Sequence, residues 1–242
     1  MVRAIVLAAG KGTRMKSAVS KVLHEICGRP MLWYVLQALR AADVAEILIV
    51  TNDQLQDRIE EFGAPGVLQK EQLGTGHAVR IALDAMEKRP GRVLIAYGDM
   101  PLADADVYRS VVAALDGSNA LAIVTARVPL PSNFGRVVRR GGGVQRIVEA
   151  RDASAPELAI DEVNAGIYAF KEDELRDAVS HLKNDNTQKE YYLTDTIADL
   201  VRAGKRVVPV VAENPAHVMG INDRSELALA RAEMNARLCE QH

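Results

Sequence analysis

Apolar runs of strand length alternate with amphipathic stretches along the first half of the chain. RAIVLAA (3–9) predicts a buried strand. PMLWYVLQALRAA (30–42) carries apolar residues at helical spacing, and Pro30 suits a first helical turn. EILIVT (46–51) predicts a second strand, and QLQDRIEEF (54–62) and GTGHAVRIALDAMEK (74–88) predict helices. RVLIAYGD (92–99) is a third strand, ending in an acid. DADVYRSVVAAL (104–115) returns as helix and ALAIVTARV (120–128) as strand. This β-α-β-α rhythm implies an α/β fold with a parallel, doubly wound sheet and helices on both faces.

The rhythm changes near residue 130. FGRVVRRGGGVQRIVEAR (134–151) predicts a hairpin around Gly141-Gly142-Gly143. NAGIYAF (164–170) predicts a strand, and YYLTDTIADLVRAG (191–204) a helix with Gly204 as its C-cap. RVVPVVA (206–212) predicts a late strand and RSELALARAEMNARL (224–238) a closing helix. The expected organisation is one domain over 1–223, with a nucleotide half to about 130 and a second-substrate half over about 131–223. The segment 224–242 then follows as a C-terminal helix. Ligands of open α/β sheets sit beyond the carboxyl ends of the strands, which places Gly10, Asp99 and the segment after Val50 on one edge.

Composition narrows the partners. The 242 residues carry 30 Lys plus Arg and 32 Asp plus Glu, a net charge of −2. That balance gives no electrostatic reason to expect nucleic-acid or membrane binding. Cys27 and Cys239 have no C-x-x-C spacing and make no metal framework with the five histidines, so two free thiols in a reducing compartment are expected. The apolar run at the start is too short for a membrane span or a signal peptide, and the expected location is cytoplasmic.

The chemistry-bearing stretches begin with LAAGKGTRM. A dinucleotide fingerprint needs a third glycine where Met15 stands, and a Walker A loop needs Lys-Ser/Thr after its second glycine. What remains is a glycine turn whose backbone N–H groups face an anion, with Arg14 and Lys21 adding charge; a tight turn with solvated cations is the alternative. In YGDMPL, Asp99 ends a buried strand and needs a cation or a metal; beside a phosphate loop it would hold Mg²⁺, and otherwise it is a turn or cap aspartate. In QKEQLGTGHA, Gln69 offers a donor and an acceptor to a base edge, Gly74 permits close approach and Thr75 supplies a hydroxyl, unless the stretch is only a capped helix start. His77 reads as a packing residue. Glu149 and Asn164 suit the hydroxyls of a neutral sugar or a structural role. Asn222 lies before the closing helix, where an ordinary N-cap region is the alternative.

Taken in order, LAAGKGTRM, KVLHEICGRPML, LQKEQLGTGHA, YGDMPL, FGRVV, IVEARDA, NAGIYAF, EYYLTD and GINDRSEL resemble the uridyltransferase (pyrophosphorylase) domains of bacterial N-acetylglucosamine-1-phosphate uridyltransferases. The resemblance runs from residue 2 to about 238. The opening loop is shared by many nucleotidyltransferases, whereas LGTGHA, EYYLTD and GIN-x-R are narrower. It implies a Rossmann-like nucleotidyltransferase fold around a mixed, mostly parallel sheet. It implies uridylyl transfer from UTP to N-acetylglucosamine 1-phosphate, giving UDP-N-acetylglucosamine and pyrophosphate for peptidoglycan synthesis. Leu7, Ala8, Ala9 and Gly10 would line the nucleotide cradle, and Arg14 and Lys21 would neutralise the triphosphate. Gln69, Gly74 and Thr75 would recognise uracil; Tyr97, Gly98 and Asp99 would lie under the nucleotide. Gly135, Glu149 and Asn164 would hold the amino sugar, with Tyr192 and Thr194 on its other side. Asp99 and Asn222 would be the protein ligands of Mg²⁺.

One departure stands out: Ser20 replaces the proline that commonly precedes the lysine of K-V-L-H. Phe134 supplies the aromatic that commonly precedes Gly-Arg, in keeping with the resemblance. The hexapeptide repeats of an acetyltransferase domain are absent from these 242 residues, so no acetyl transfer is expected. Because that part makes the trimers of relatives, a monomer or weak dimer is expected. The rival readings are a sister enzyme using CTP or another sugar 1-phosphate, and a non-catalytic nucleotide-sugar binding module; a nicotinamide-dependent dehydrogenase is disfavoured by Met15.

Overall fold

The structure is a computed structural model that describes residues 1–240; the last two positions of the segment 224–242 lie outside the described residues. The first strand, β1 (Val2–Leu7), runs into the glycine loop. A small hairpin, β2 (Glu25–Ile26) and β3 (Arg29–Pro30), leads to α1 (Met31–Ala41). Then come β4 (Glu46–Thr51), α2 (Asp53–Gln56), β5 (Gly66–Leu68), α3 (Thr75–Ala85), β6 (Arg92–Tyr97), α4 (Ala105–Ala114) and β7 (Asn119–Arg127). The remainder is β8 (Arg136–Arg140), β9 (Gly143–Val148), α5 (Ala155–Leu158), β10 (Glu162–Lys171), α6 (Glu172–Ser180), α7 (Asp195–Arg202), β11 (Arg206–Val211) and α8 (Arg224–Glu240).

The sheet has the order β11-β7-β10-β6-β1-β4-β5, with β8 and β9 attached through β10. β1 is parallel to β4 and β6, β4 to β5, and β11 to β7; β10 runs antiparallel to both β6 and β7. The sheet is therefore mixed and mostly parallel, as the resemblance implies; the antiparallel β10 departs from the wholly parallel sheet that the β-α-β-α rhythm alone implies.

Continuous apolar strands are explained by burial on both faces. Ala4, Val6 and Ala8 enter one core and Ile5, Leu7 and Ala9 the other, so alternate residues of one run serve two layers. α1 and α4 cover the first face; α3, α6 and α7 cover the second. A third, smaller cluster joins Met15, Ile26 and Met31 to Ile221, Leu227, Ala230 and Met234, and so seats α8 on the small hairpin.

Several local expectations shift. The helix expected over 54–62 is two short pieces: α2, capped by the Asn52 side chain accepting from Leu55 N at 3.0 Å, and a 3₁₀ turn at Ile59–Phe62. Leu55 and Phe62 are buried there and Ile59 packs against the same core, so the apolar face is kept although the backbone changes from α to 3₁₀ between them. The helix expected from 191 starts at Asp195, because the backbone before it is committed elsewhere. β5 and α6 are elements the apolar pattern does not reveal. The hairpin turns at Gly141 and Gly142, both at positive φ (58° and 83°), as a tight two-residue connection requires. Among the described residues, no helix is long and apolar enough to cross a membrane.

At the sheet edge opposite the glycine loop, Glu172 is fully buried and joins three segments. It pairs with Arg3 of β1, accepts from Arg176 Nε at 2.9 Å, and accepts from the backbone N of Arg89 at 3.3 Å. Replacing one partner of such a group strands the other charges. Glu172→Ala should lower stability by roughly 3–5 kcal/mol, read as a fall in the urea midpoint at unchanged m-value.

Candidate active site

The carboxyl ends of β1, β5 and β6 open into a cleft of about 830 Å³. The loop after β1 forms one wall. Ala8 N donates to Val50 O, and Gly98 N donates to Leu7 O, both at 2.9 Å, so the sheet continues past its strands and holds the start of the loop. Leu7, Ala8, Ala9, Gly10, Arg14 and Lys21 all line this wall. Arg14 is exposed and makes no side-chain hydrogen bond or ion pair among the described residues.

Asp99 sits at the foot of that wall, 8% exposed. Lys21 Nζ bonds its Oδ2 and lies 3.2 Å from Asn222 Oδ1. Asn222 is held in turn by donating Nδ2 to Gly220 O at 2.9 Å, and Ile221 N donates to Asp99 O at 2.9 Å. The segment 220–222 is thus packed directly on the acid. Asp99 Oδ1 is buried with no protein partner. An orphaned carboxylate oxygen beside an amide oxygen suits a hard, oxygen-seeking divalent cation. Among the described residues no three His, Cys, Asp or Glu side chains converge as a metal cage, so any such ion there would complete its shell with ligand oxygens and water.

The next wall is made where two motifs meet. Gly74, at φ +109°, is pressed against residue 191: a Cβ there would lie 2.6 Å from Tyr191 O. Tyr191 N donates to Leu73 O at 2.8 Å, Gly76 N to Tyr191 O at 2.7 Å, and Leu193 N to Thr75 Oγ1 at 3.0 Å. LGTG and EYYL are therefore two halves of one backbone junction, which is why residues 191–194 are not helical. Gln69 is 4% exposed, and its Nε2 donates to Gly74 O at 3.2 Å and lies 3.1 Å from His77 Nδ1. His77 braces the amide, and Gln69 Oε1 is left without a protein partner among the described residues. Tyr97 lies between the two walls, and burial pushes its ionisation well up.

The far end of the cleft is acidic and amide-lined. Glu149 accepts from Thr194 Oγ1 at 2.9 Å, and Gly135 passes close to its carboxylate. Burial raises the Glu149 pKa, against the Thr194 hydrogen bond, and the nearby Asp195, Asp152 and Glu190 charges add to the rise. Asn164 stands at an irregularity in the β10–β7 register; its Nδ2 donates to Tyr168 Oη at 2.6 Å and its Oδ1 accepts from Gly166 N at 3.1 Å. Tyr192 accepts from Gln188 Nε2 at 2.7 Å. Gly135, Glu149, Asn164 and Tyr192 line the cleft. Gly98 and Thr194 lie behind it: Gly98 packs against Ala8 and Leu32, and Thr194 reaches the site through Glu149.

Other lining residues had weaker sequence signals. Gln72, whose Nε2 donates to Gln69 O at 3.0 Å, belongs to the same glycine turn. Glu226 also lines the cleft, and its spacing from Asp223 is that of a capping box. Ser132 and Asn133, in the loop between β7 and β8, and Gln188 and Glu190 carry no signal in the sequence; only the topology brings them to the rim.

This architecture, a mixed sheet with a glycine loop, an acid and an asparagine at one edge, is that of an α/β nucleotidyltransferase. The chain matches the MobA-like NTP transferase domain over residues 4–233 and belongs to that family. It is similar to the bifunctional protein GlmU of Trichlorobacter lovleyi, 46% identical over 241 residues, covering 97% of this chain and 52% of that protein. It is also similar to the bifunctional GlmU proteins of Brevibacillus brevis (40% identical, 100% of this chain, 53% of the relative) and Thermobifida fusca (43%, 98% and 51%). The chain spans about half the length of these relatives. A Bacillus anthracis crystal structure, assigned as a glucose-1-phosphate thymidylyltransferase in complex with a sucrose, shares the fold: TM-score 0.76 at 18% identity, covering 96% of this chain and 94% of that one.

Burial, with the Asp199 and Asp152 charges beside it, raises the Asp195 pKa from 3.8 to about 6. A folded-state pKa above the unfolded one means that the folded chain binds the extra proton between about pH 4 and 6. Its stability contribution is therefore lost as pH rises through that window. Asp195→Asn should gain Tm at pH 7 relative to the parent, and the gain should shrink as pH is lowered to 4. A Tm difference that is constant across this range contradicts the raised pKa.

Proposed function

We propose that this chain transfers a uridylyl group from UTP to N-acetylglucosamine 1-phosphate, giving UDP-N-acetylglucosamine and pyrophosphate. The observation that carries the reading is the orphaned, buried Asp99 oxygen beside Asn222 and Lys21, at the foot of an anion-facing loop. The resemblance of the ordered motifs supplies the substrate identities.

In this reading, residues to about 130 serve the nucleotide and about 131–223 the amino sugar. Gln69 Oε1 accepts from uracil N3–H; cytosine, whose N3 is an acceptor, meets an oxygen there and is disfavoured. Thr75 and Gly74 shape the same pocket. Glu149, held by Thr194, faces sugar hydroxyls with Asn164, Gly135 and Tyr192.

A phosphate oxygen of the sugar 1-phosphate forms a bond to the α-phosphorus of UTP, and the bond from that phosphorus to the bridging oxygen of pyrophosphate breaks in line. The nucleophile is already anionic, so no general base is required. The protein's task is to align two anions and neutralise the charge that departs. Arg14 and Lys21 do so at the pyrophosphate end. Asp99 and Asn222 would hold Mg²⁺, which when bound supplies positive charge to phosphate oxygens. The reading places the reaction in the cytoplasm.

The test is pyrophosphate release with UTP and Mg²⁺, comparing N-acetylglucosamine 1-phosphate with glucose 1-phosphate and glucosamine 1-phosphate, and UTP with CTP. The N-acetyl sugar with UTP should give the highest kcat/KM. A preference for CTP or for another sugar overturns the assignment. Arg14→Ala should lower kcat about 10²-fold, as loss of a preorganised charge stabiliser does. Asp99→Ala should abolish turnover while the folded chain persists by circular dichroism; near-parental kcat at saturating Mg²⁺ contradicts its role.

A further inference from the structure

The arginine of GIN-x-R is quoted in the resemblance but has no role in the site described above. Arg224 is the first residue of α8, two positions after Asn222. Its guanidinium crosses to the opening loop: Nε donates to Met15 O and Nη2 to Lys16 O, both at 3.0 Å. It forms no ion pair with a carboxylate among the described residues, so its hydrogen bonding goes to these two carbonyls.

Those carbonyls close the 3₁₀ turn Thr13–Met15, which contains Arg14. The turn is held at its start by Met15 N donating to Gly12 O at 2.9 Å. At its exit Lys16 adopts a left-handed backbone, φ +48°, unfavourable for a residue with a side chain. Arg224 bonds the carbonyl of that residue and the one before it. Below, the buried Met15 side chain packs with Ile221 and Leu227. Arg14 itself is exposed with no side-chain partner, so the backbone beneath it decides where it points.

The same first turn of α8 fixes Asn222 independently. Asn222 N donates to Glu226 Oε2 at 2.5 Å, and Glu226 N donates to Asp223 Oδ1 at 2.9 Å, so Glu226 ties both residues before α8 to its first turn. One helix start therefore carries both the asparagine beside Asp99 and the clamp on the arginine's turn.

We propose that Arg224 is a positioning residue: it sets the Arg14 turn at a fixed distance from Asp99 and Asn222, so that charge neutralisation at the leaving group is registered with the cation centre. This rests on the uridylyl-transfer reading above. Arg224 reaches no part of the base-recognition wall. Its loss therefore falls on kcat and leaves nucleotide affinity nearly unchanged.

The experiment is a double-mutant cycle of Arg14→Ala and Arg224→Ala, with kcat and KM for UTP measured at each corner, and Arg224→Lys alongside. Arg224→Ala should lower kcat about tenfold with KM for UTP changed less than threefold. In the Arg14→Ala background it should cost less than twofold, because its effect passes through Arg14. Arg224→Lys, which keeps the charge and reaches one carbonyl, should fall between. Hydrogen exchange of the backbone amides of residues 13–16 should quicken in Arg224→Ala with the sheet amides unchanged, a readout independent of turnover. Equal fold-losses in both backgrounds, or unchanged exchange at 13–16, overturns the positioning role. If Arg224→Ala does not fold, Arg224→Lys carries the same cycle and the same exchange measurement. A parent chain that folds but makes no pyrophosphate refutes the uridylyl-transfer reading, and the exchange result then decides the clamp alone.

Discussion

A carboxylate at the end of a buried strand is the constraint on which the site depends. Asp99 follows β6, between β1 and β10 in the sheet, and an unpaired charge in that position is costly. Lys21 and the segment 220–222 answer it from opposite ends of the chain. Their convergence closes the fold: it draws the opening loop down onto the sheet edge and brings the start of α8 beside it. The buried cluster around Met15, Ile26, Met31 and Leu227 supplies the apolar counterpart of the same closure.

The remaining walls follow from backbone geometry more than from charge. The junction between Leu73–Gly76 and Tyr191 is made by main-chain hydrogen bonds, and a side chain at Gly74 would strike the Tyr191 carbonyl. It ties the glycine turn that carries Thr75 to the segment that presents Tyr192 and Thr194. The two ends of the cleft are thus held in register by two contacts, one ionic at Asp99 and one backbone-built at Gly74. Catalysis by positioning and electrostatics requires such registration, since the proposed chemistry uses no covalent intermediate.

Much of the fold was legible because β1, β6 and β7 are buried on both faces and read as unbroken apolar runs, while α1 and α4 bury one stripe each. β5 was not, because three residues at a sheet edge leave no periodic signal. α6 was not, because its first turn is Glu172, Asp173 and Glu174, and the burial of Glu172 depends on Arg3 and Arg176. The helix expected from 191 failed for a tertiary reason: Tyr191 has its backbone bonds with Leu73 and Gly76. At the site, motif reasoning reached polar residues that the structure brings into the cleft, such as Asp99 and Gln69. It did not reach Ser132, Asn133, Gln188 or Glu190, which the loops carry to the rim, nor the clamp made by Arg224.

The central claim is that Asp99 and Asn222 form the cation centre of a nucleotide site. Mn²⁺ in place of Mg²⁺ makes that centre visible by electron paramagnetic resonance. The account predicts one tightly held Mn²⁺ per chain when UTP is present, with affinity at least tenfold weaker in Asp99→Asn at the same UTP concentration. Equal Mn²⁺ binding by the parent and Asp99→Asn chains, with UTP bound to both, would contradict it.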